Sequence, residues 1–124
     1  MSPAAFLENN VFCIAQKATY TWPVVVELPE DGGKFARHTF EAEFRRLSKQ
    51  EAERLIRSAS QGELSDESLI EQIMVGWSAV HDADGEPLPF TPANLRRLVA
   101  SHIQVPGAIV RAWLDSLGTA RQKN

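Results

Sequence analysis

Asp82-Ala83-Asp84-Gly85 is a short run whose residue types could hold a hard cation, with two carboxylates and a glycine to turn the backbone. Counted from Asp82 as a calcium loop, position six is Pro87 where glycine is required, and position twelve is Ala93 where glutamate is required. The run therefore reads as an Asp-Gly turn. Gly76-Trp77-Ser78-Ala79-Val80 begins like the elbow that presents a nucleophilic serine, but it lacks the second glycine and follows a helical pattern instead of preceding one. Gly33-Lys34 is followed by Phe35, and Leu28 stands where a phosphate-cradling loop needs its first glycine. Cys13, His38, His81 and His102 lack metal-ligand spacing. A metal-dependent hydrolase around His81, Asp82 and Asp84 is the enzyme reading that remains, and nothing assembles an acid, a base and a nucleophile for it. The expectation is a protein that is not an enzyme, with no catalytic residue, cofactor or metal.

Arg96-Arg97 could touch nucleic-acid phosphates, but on an acidic chain two arginines read as a solvated helix face. Trp22, Trp77 and Trp113 read first as core anchors; the alternative is exposed aromatic contacts at an interface. His38, on an apolar strand face, reads as a hydrogen-bonded histidine of the core or its boundary.

These residues sit on a chain of 124 residues, 44% hydrophobic and 23% charged, with a net charge of -3. Such values suit one globular domain with one core and supply no global positive field for nucleic acid or anionic lipid. A single cysteine leaves no intramolecular disulfide framework and fits a reducing compartment. The first lysine, Lys17, follows the short Val11–Ile14 apolar run, so a basic leader is missing, and no stretch is long enough to span a bilayer. The expected setting is a bacterial-type cytoplasm.

The positioning elements follow from periodicity. Residues 1–10 read as a loose arm, and Val11–Lys17 as a candidate short strand. Tyr20, Trp22, Val24, Val26 and Leu28 share one face of an extended chain, with Pro23 marking a sheet edge. Pro29-Glu30-Asp31-Gly32-Gly33 reads as a hairpin loop, and Ala36, His38, Phe40, Ala42 and Phe44 continue the apolar face on the return strand.

Ser48 and Glu51 form a capping box before a helix that buries Ala52, Leu55, Ile56 and Ala59, with Glu53 placed to pair with Arg57. Gly62 ends that helix. A second helix opens at Ser65-Asp66-Glu67, and Ile70, Ile73, Met74, Trp77 and Val80 extend its stripe to the Asp-Gly turn. Gly76 within it would serve close packing or loosen the last turn, against a helix-propensity cost of about 1 kcal/mol. Thr91-Pro92 starts a third helix carrying Leu95, Leu98 and Val99. Pro106-Gly107 opens a fourth, with Ile109, Val110, Trp113, Leu114 and Leu117 buried, Gly118 as cap and the basic tail 120–124 frayed. The expected fold is α+β: an N-terminal antiparallel hairpin, with a third strand available at Val11–Lys17, packed on about four short helices in a single domain, 1–124.

From about Ala18 to Asn124 the order of these motifs resembles the tail assembly chaperones of long-tailed bacteriophages and prophages. The resemblance rests on Thr19-Tyr20-Thr21-Trp22-Pro23-Val24 before a Gly-Gly hairpin, Phe44-Arg45-Arg46-Leu47-Ser48-Lys49-Gln50-Glu51 opening a helix, and Val75-Gly76-Trp77. It continues through Asp84-Gly85-Glu86-Pro87-Leu88-Pro89-Phe90-Thr91 and the closing Leu117-Gly118-Thr119-Ala120-Arg121-Gln122-Lys123-Asn124. It implies a non-catalytic protein of the host bacterial cytoplasm that coats the tape measure protein, keeps it soluble and helps recruit tail tube subunits. It also implies head-to-tail self-association into spirals and, in many members, a longer frameshifted form. Neither nucleic acid nor membrane is an implied partner.

The resemblance assigns no functional residues. The contacts expected from the chain itself are the central loop from Asp82 to Phe90, with Asp84, Phe90 and the neighbouring Trp77, the exposed faces of the last two helices, with Arg96, Arg97 and Trp113, and the basic tail, with Arg121 and Lys123. A DNA-binding regulator using the helix at 91–101 is the alternative reading.

Overall fold

The structure is a computed structural model that describes residues 11–118. Strands β1 (Thr19–Glu30) and β2 (Lys34–Arg45) form the hairpin, antiparallel and in register from Thr19 opposite Arg45 to Glu30 opposite Lys34. Its loop is shorter than the sequence suggests, because Pro29 and Glu30 still pair with Phe35 and Lys34. Asp31-Gly32-Gly33 alone makes the turn, with φ of 84° and 78° at the two glycines, values that side chains disfavour. The period-two pattern holds: Val24, Val26, Phe40, Ala42 and Phe44 are buried, while Thr21, Pro23, Glu27, Arg37 and Glu41 are exposed.

The third strand is not the expected one. Residues 11–17 form neither strand nor helix, and Phe12 and Ile14 are 83% and 93% exposed. β3 is Met74–Ser78, pairing antiparallel with β2 on the side away from β1, in the order β1-β2-β3. The helix expected to continue to Val80 stops at Ile73. Its apolar stripe fits both periods, and β2 offered an unpaired edge that a Val-Gly-Trp run suits better than a helix does. Between Glu43 and Phe44 the register shifts, so Val75 bulges and Met74 still reaches Phe44. Arg45 secures the junction by donating from Nε to the Gln72 carbonyl at 2.8 Å.

Four helices complete the described chain: α1 (Lys49–Ser60), α2 (Asp66–Ile73), α3 (Pro92–Ser101) and α4 (Gln104–Ser116). The capping box of α1 is present, with Glu51 N–H donating to Ser48 Oγ at 3.1 Å and Ser48 N–H to Glu51 Oε1 at 3.3 Å. Glu53 pairs with Lys49 at 3.0 Å instead of with Arg57. The α1 end is closed by Gly62 N–H on Ala59 O and Glu63 N–H on Ser58 O, with Gly62 at φ 77°. Ser65 and Thr91 cap α2 and α3, and Pro92 takes the first position of α3. α4 begins two residues before Pro106, which its first turn tolerates.

One core joins these layers. α4 packs on β1, and α2 and α3 pack on α4. Val24 and Phe44 from the sheet meet Leu55 of α1, Ile70 and Ile73 of α2, Leu95 of α3, and Ile109 and Trp113 of α4, all at most 4% exposed. At the far end of that layer Tyr20 OH lies 2.7 Å from Ser116 Oγ, which itself donates to the Trp113 carbonyl at 2.6 Å. The tyrosine is therefore the donor. The Arg46 guanidinium stands 4.9 Å over the Tyr20 ring. The expected arm at 1–10 and tail at 120–124, with Arg121 and Lys123, lie outside the described residues.

Candidate functional site

β3 leads into the loop that shapes one hollow of the molecule. Ala79 takes a left-handed φ of 67°, which turns the chain and drops Val80 into the core. The next residues close a miniature hairpin: Leu88 N–H donates to Val80 O and Asp82 N–H to Glu86 O, both at 2.8 Å. The Asp-Gly turn sits at its tip, with Gly85 N–H on Asp82 O at 3.0 Å and Gly85 at φ 79°. Asp82 Oδ1 accepts the N–H groups of Asp84 at 2.9 Å and Glu86 at 3.0 Å. That carboxylate holds its own turn, as an aspartate of this kind does. Among the described residues no group of three or more His, Cys, Asp or Glu is arranged to hold a metal ion.

Two aromatic residues brace the loop from behind. Trp77 donates its indole N–H to the Leu88 carbonyl at 2.7 Å and meets Phe90 edge to face, centroids 4.9 Å apart. Asn94 Nδ2 donates to the Pro89 carbonyl at 2.9 Å, tying the loop to the first turn of α3. A connection of this length is thereby pinned at its start, middle and end.

The hollow, about 700 Å³, lies between this loop, the turn end of the hairpin and the C-terminal half of α3. Val26, Leu28 and Phe40 of the sheet form its floor, Val80 and Leu88 of the loop one wall, and Leu98 of α3 with Val105 of α4 the other. Polar groups stand on the lining as well: His38, His81, Asp82, Arg97 and His102. An open apolar groove with a few polar groups on it can bind an amphipathic segment.

The contact residues expected from sequence fall in different places. Arg97 lines the groove and donates to Asn94 Oδ1 at 3.0 Å; Arg96 is exposed but outside it. Trp77 and Phe90 are half-buried supports of the loop and do not line the groove. Asp84 is exposed at the loop tip. Trp113 is 1% exposed, a core residue that no partner can touch, because α4 turns it inward against the sheet. His38 is exposed on the lining and not in the core, since the helices cover only the other end of its strand face. Leu88 and Asp82 lie within the loop from which contacts were expected, whereas Leu98 and the histidines were not singled out from sequence as contacts. Their signal is weak, because the hollow exists only once β3 and the loop have folded back.

No helix among the described residues is long and apolar enough to cross a membrane. A family model described as phage tail assembly chaperone matches residues 9–124. No curated protein and no solved structure matches the chain.

Proposed function

The chain belongs to the phage tail assembly chaperone family, and from that premise we propose that its client is the tape measure protein. The observation that carries this reading is the apolar groove between the sheet, the loop and α3. A tape measure protein is a very long helical chain, and apolar stripes left uncovered on such a chain aggregate. One groove covers a short length of stripe, so many copies along one client act together through their high local concentration. The protein works in the host cytoplasm by binding alone, without catalysis. Copies held along the client, associating head to tail, present a surface that helps recruit tail tube subunits.

The test is co-expression with the tape measure protein of the same phage or prophage. The wild-type chain raises the client's soluble fraction, and Leu98→Asp, which puts a carboxylate on the groove wall, loses that effect while circular dichroism shows the fold retained. A client that precipitates as readily with the wild-type chain as without it defeats the proposal.

A further inference from the structure

The segment before β1 carries apolar surface that the fold leaves without cover. Of the six large apolar side chains that stand exposed among the described residues, three fall within four positions: Val11, Phe12 and Ile14. Scattered singly such residues are ordinary, but gathered on one short segment they mark a contact surface. The run from Asn9 to Gln16 carries no charge, on a chain in which 23% of residues are charged. The base of this arm is fixed. Arg46 Nε donates to the Lys17 carbonyl at 2.9 Å, and the Arg46 N–H to the Ala18 carbonyl at 2.8 Å. The groove lies toward the other end of the sheet, and the two full charges on its lining, Arg97 and Asp82, offset one another. An uncharged apolar segment suits such a lining.

The arm cannot fill the groove of its own molecule. Ile14 stands three residues before Lys17, about 11 Å at full extension. The nearest part of the floor, Phe40, pairs with Val24, about 17 Å along β1 from Thr19, and Leu28 is about 30 Å along it. Resting on the groove as the client site, we infer that in the free chaperone the arm of a second copy occupies it, with Phe12 and Ile14 set against Leu28, Leu88 and Leu98. One end of a molecule thereby meets the opposite end of another. Both partners take apolar surface out of water. The client enters the groove by displacing an arm. A few side chains hold each arm, so a long client engaging many copies at once outcompetes it. The arm contact belongs to the unloaded chaperone and is distinct from the association of copies lined up on a client.

Sedimentation of the full chain from about 10 µM to about 1 mM tests this, a range that suits a weak contact. The wild-type mass is expected to rise to two chains or more. The arm variant, Phe12→Asp with Ile14→Asp, changes only exposed positions and should stay at the mass of one chain, as should the groove variant Leu98→Asp. An equimolar mixture of the two holds one sound arm and one sound groove, and should recover dimers and nothing larger. A synthetic peptide of residues 9–18 should return the wild type to single chains. In its nuclear magnetic resonance spectrum the amides of Leu88, Leu98 and Val105 should shift most, which locates the arm even if Leu98→Asp does not fold. A wild type that stays single, an arm variant that associates like the wild type, a mixture of folded variants that stays apart or grows past dimers, or shifts away from the groove each overturn the inference. Co-expression scores the tape-measure reading separately. The arm variant keeps its groove and should hold the client soluble at least as well as the wild type; losing the client overturns the inference. A client held soluble by a chain that never associates sinks the arm and leaves that function standing, and association without any effect on the client does the reverse.

Discussion

Glu43 and Gly76 face one another across β2 and β3, so closely that a Cβ on the glycine would stand 2.6 Å from Glu43 Oε1. The other oxygen of the same carboxylate accepts the Thr19 hydroxyl at 2.6 Å. One side chain thus lies over all three strands beside the bulge at Val75, and the bare glycine is what lets it lie there.

Gly76→Ala is expected to push that carboxylate aside and cost the Thr19 hydrogen bond, about 1 kcal/mol. Glu43→Ala loses the same bond. Urea denaturation of both single variants and the double variant should show the double losing less than the two losses combined. Strict additivity would mean that the carboxylate and the glycine are independent.

Trp113 is buried with its indole N–H unpartnered among the described residues. Trp113→Ala should lose about 3–5 kcal/mol through the cavity it leaves. Trp113→Phe should lose clearly less, because it keeps much of the ring and removes a buried donor that has no acceptor. Denaturation midpoints compare the two, and equal losses would contradict this account of the indole.

Phe90→Ala removes the ring against which Trp77 is set, a contact worth about 0.5–1.5 kcal/mol beyond the apolar area lost. The effect should be local. Hydrogen exchange at the Leu88 amide speeds up, the protection of β1 and β2 persists, and the client's soluble fraction on co-expression falls because one wall of the groove has loosened. A global loss of protection would show that the loop is part of the core and not a braced appendage.

Ser48→Ala removes the hydroxyl that accepts the Glu51 N–H, leaves the Ser48 backbone N–H bond to Glu51 Oε1 in place, and should cost about 1 kcal/mol, read as a lower denaturation midpoint. Ser48→Asp keeps an acceptor at the same place and should recover most of that loss. If Ser48→Ala leaves the midpoint unchanged, the cap contributes nothing to α1.

The hairpin and three of the four helix starts were legible because their signals are local. A period of two over Tyr20–Leu28, Ser48 with Glu51, Ser65 before acidic residues and Thr91 before Pro92 each depend on a few neighbours. Pro23 likewise announced an edge, and β1 is one. Met74–Ser78 was not legible, since Ile70, Ile73, Met74 and Trp77 fit a helical stripe. What decides for a strand is the free edge of β2, about thirty residues away in sequence. The groove was hidden for the same reason: positions 38, 81 and 102 share no period, and only the folded sheet, loop and α3 bring their imidazoles onto one lining. Trp113 was legible as an anchor of the core, and its alternative as a contact fails on burial.

Ala18 accepts the Arg46 N–H at 2.8 Å, which fixes the even-numbered residues of β1 as those whose main-chain groups point toward β2. The odd-numbered ones point away from the sheet, and two of them are Pro23 and Pro29. The outer rim of β1 therefore lacks two of the donors that an approaching extended chain would need to zip onto it. That gap makes the rim a poor template for a growing fibril, and it is written into the strand by two imino acids.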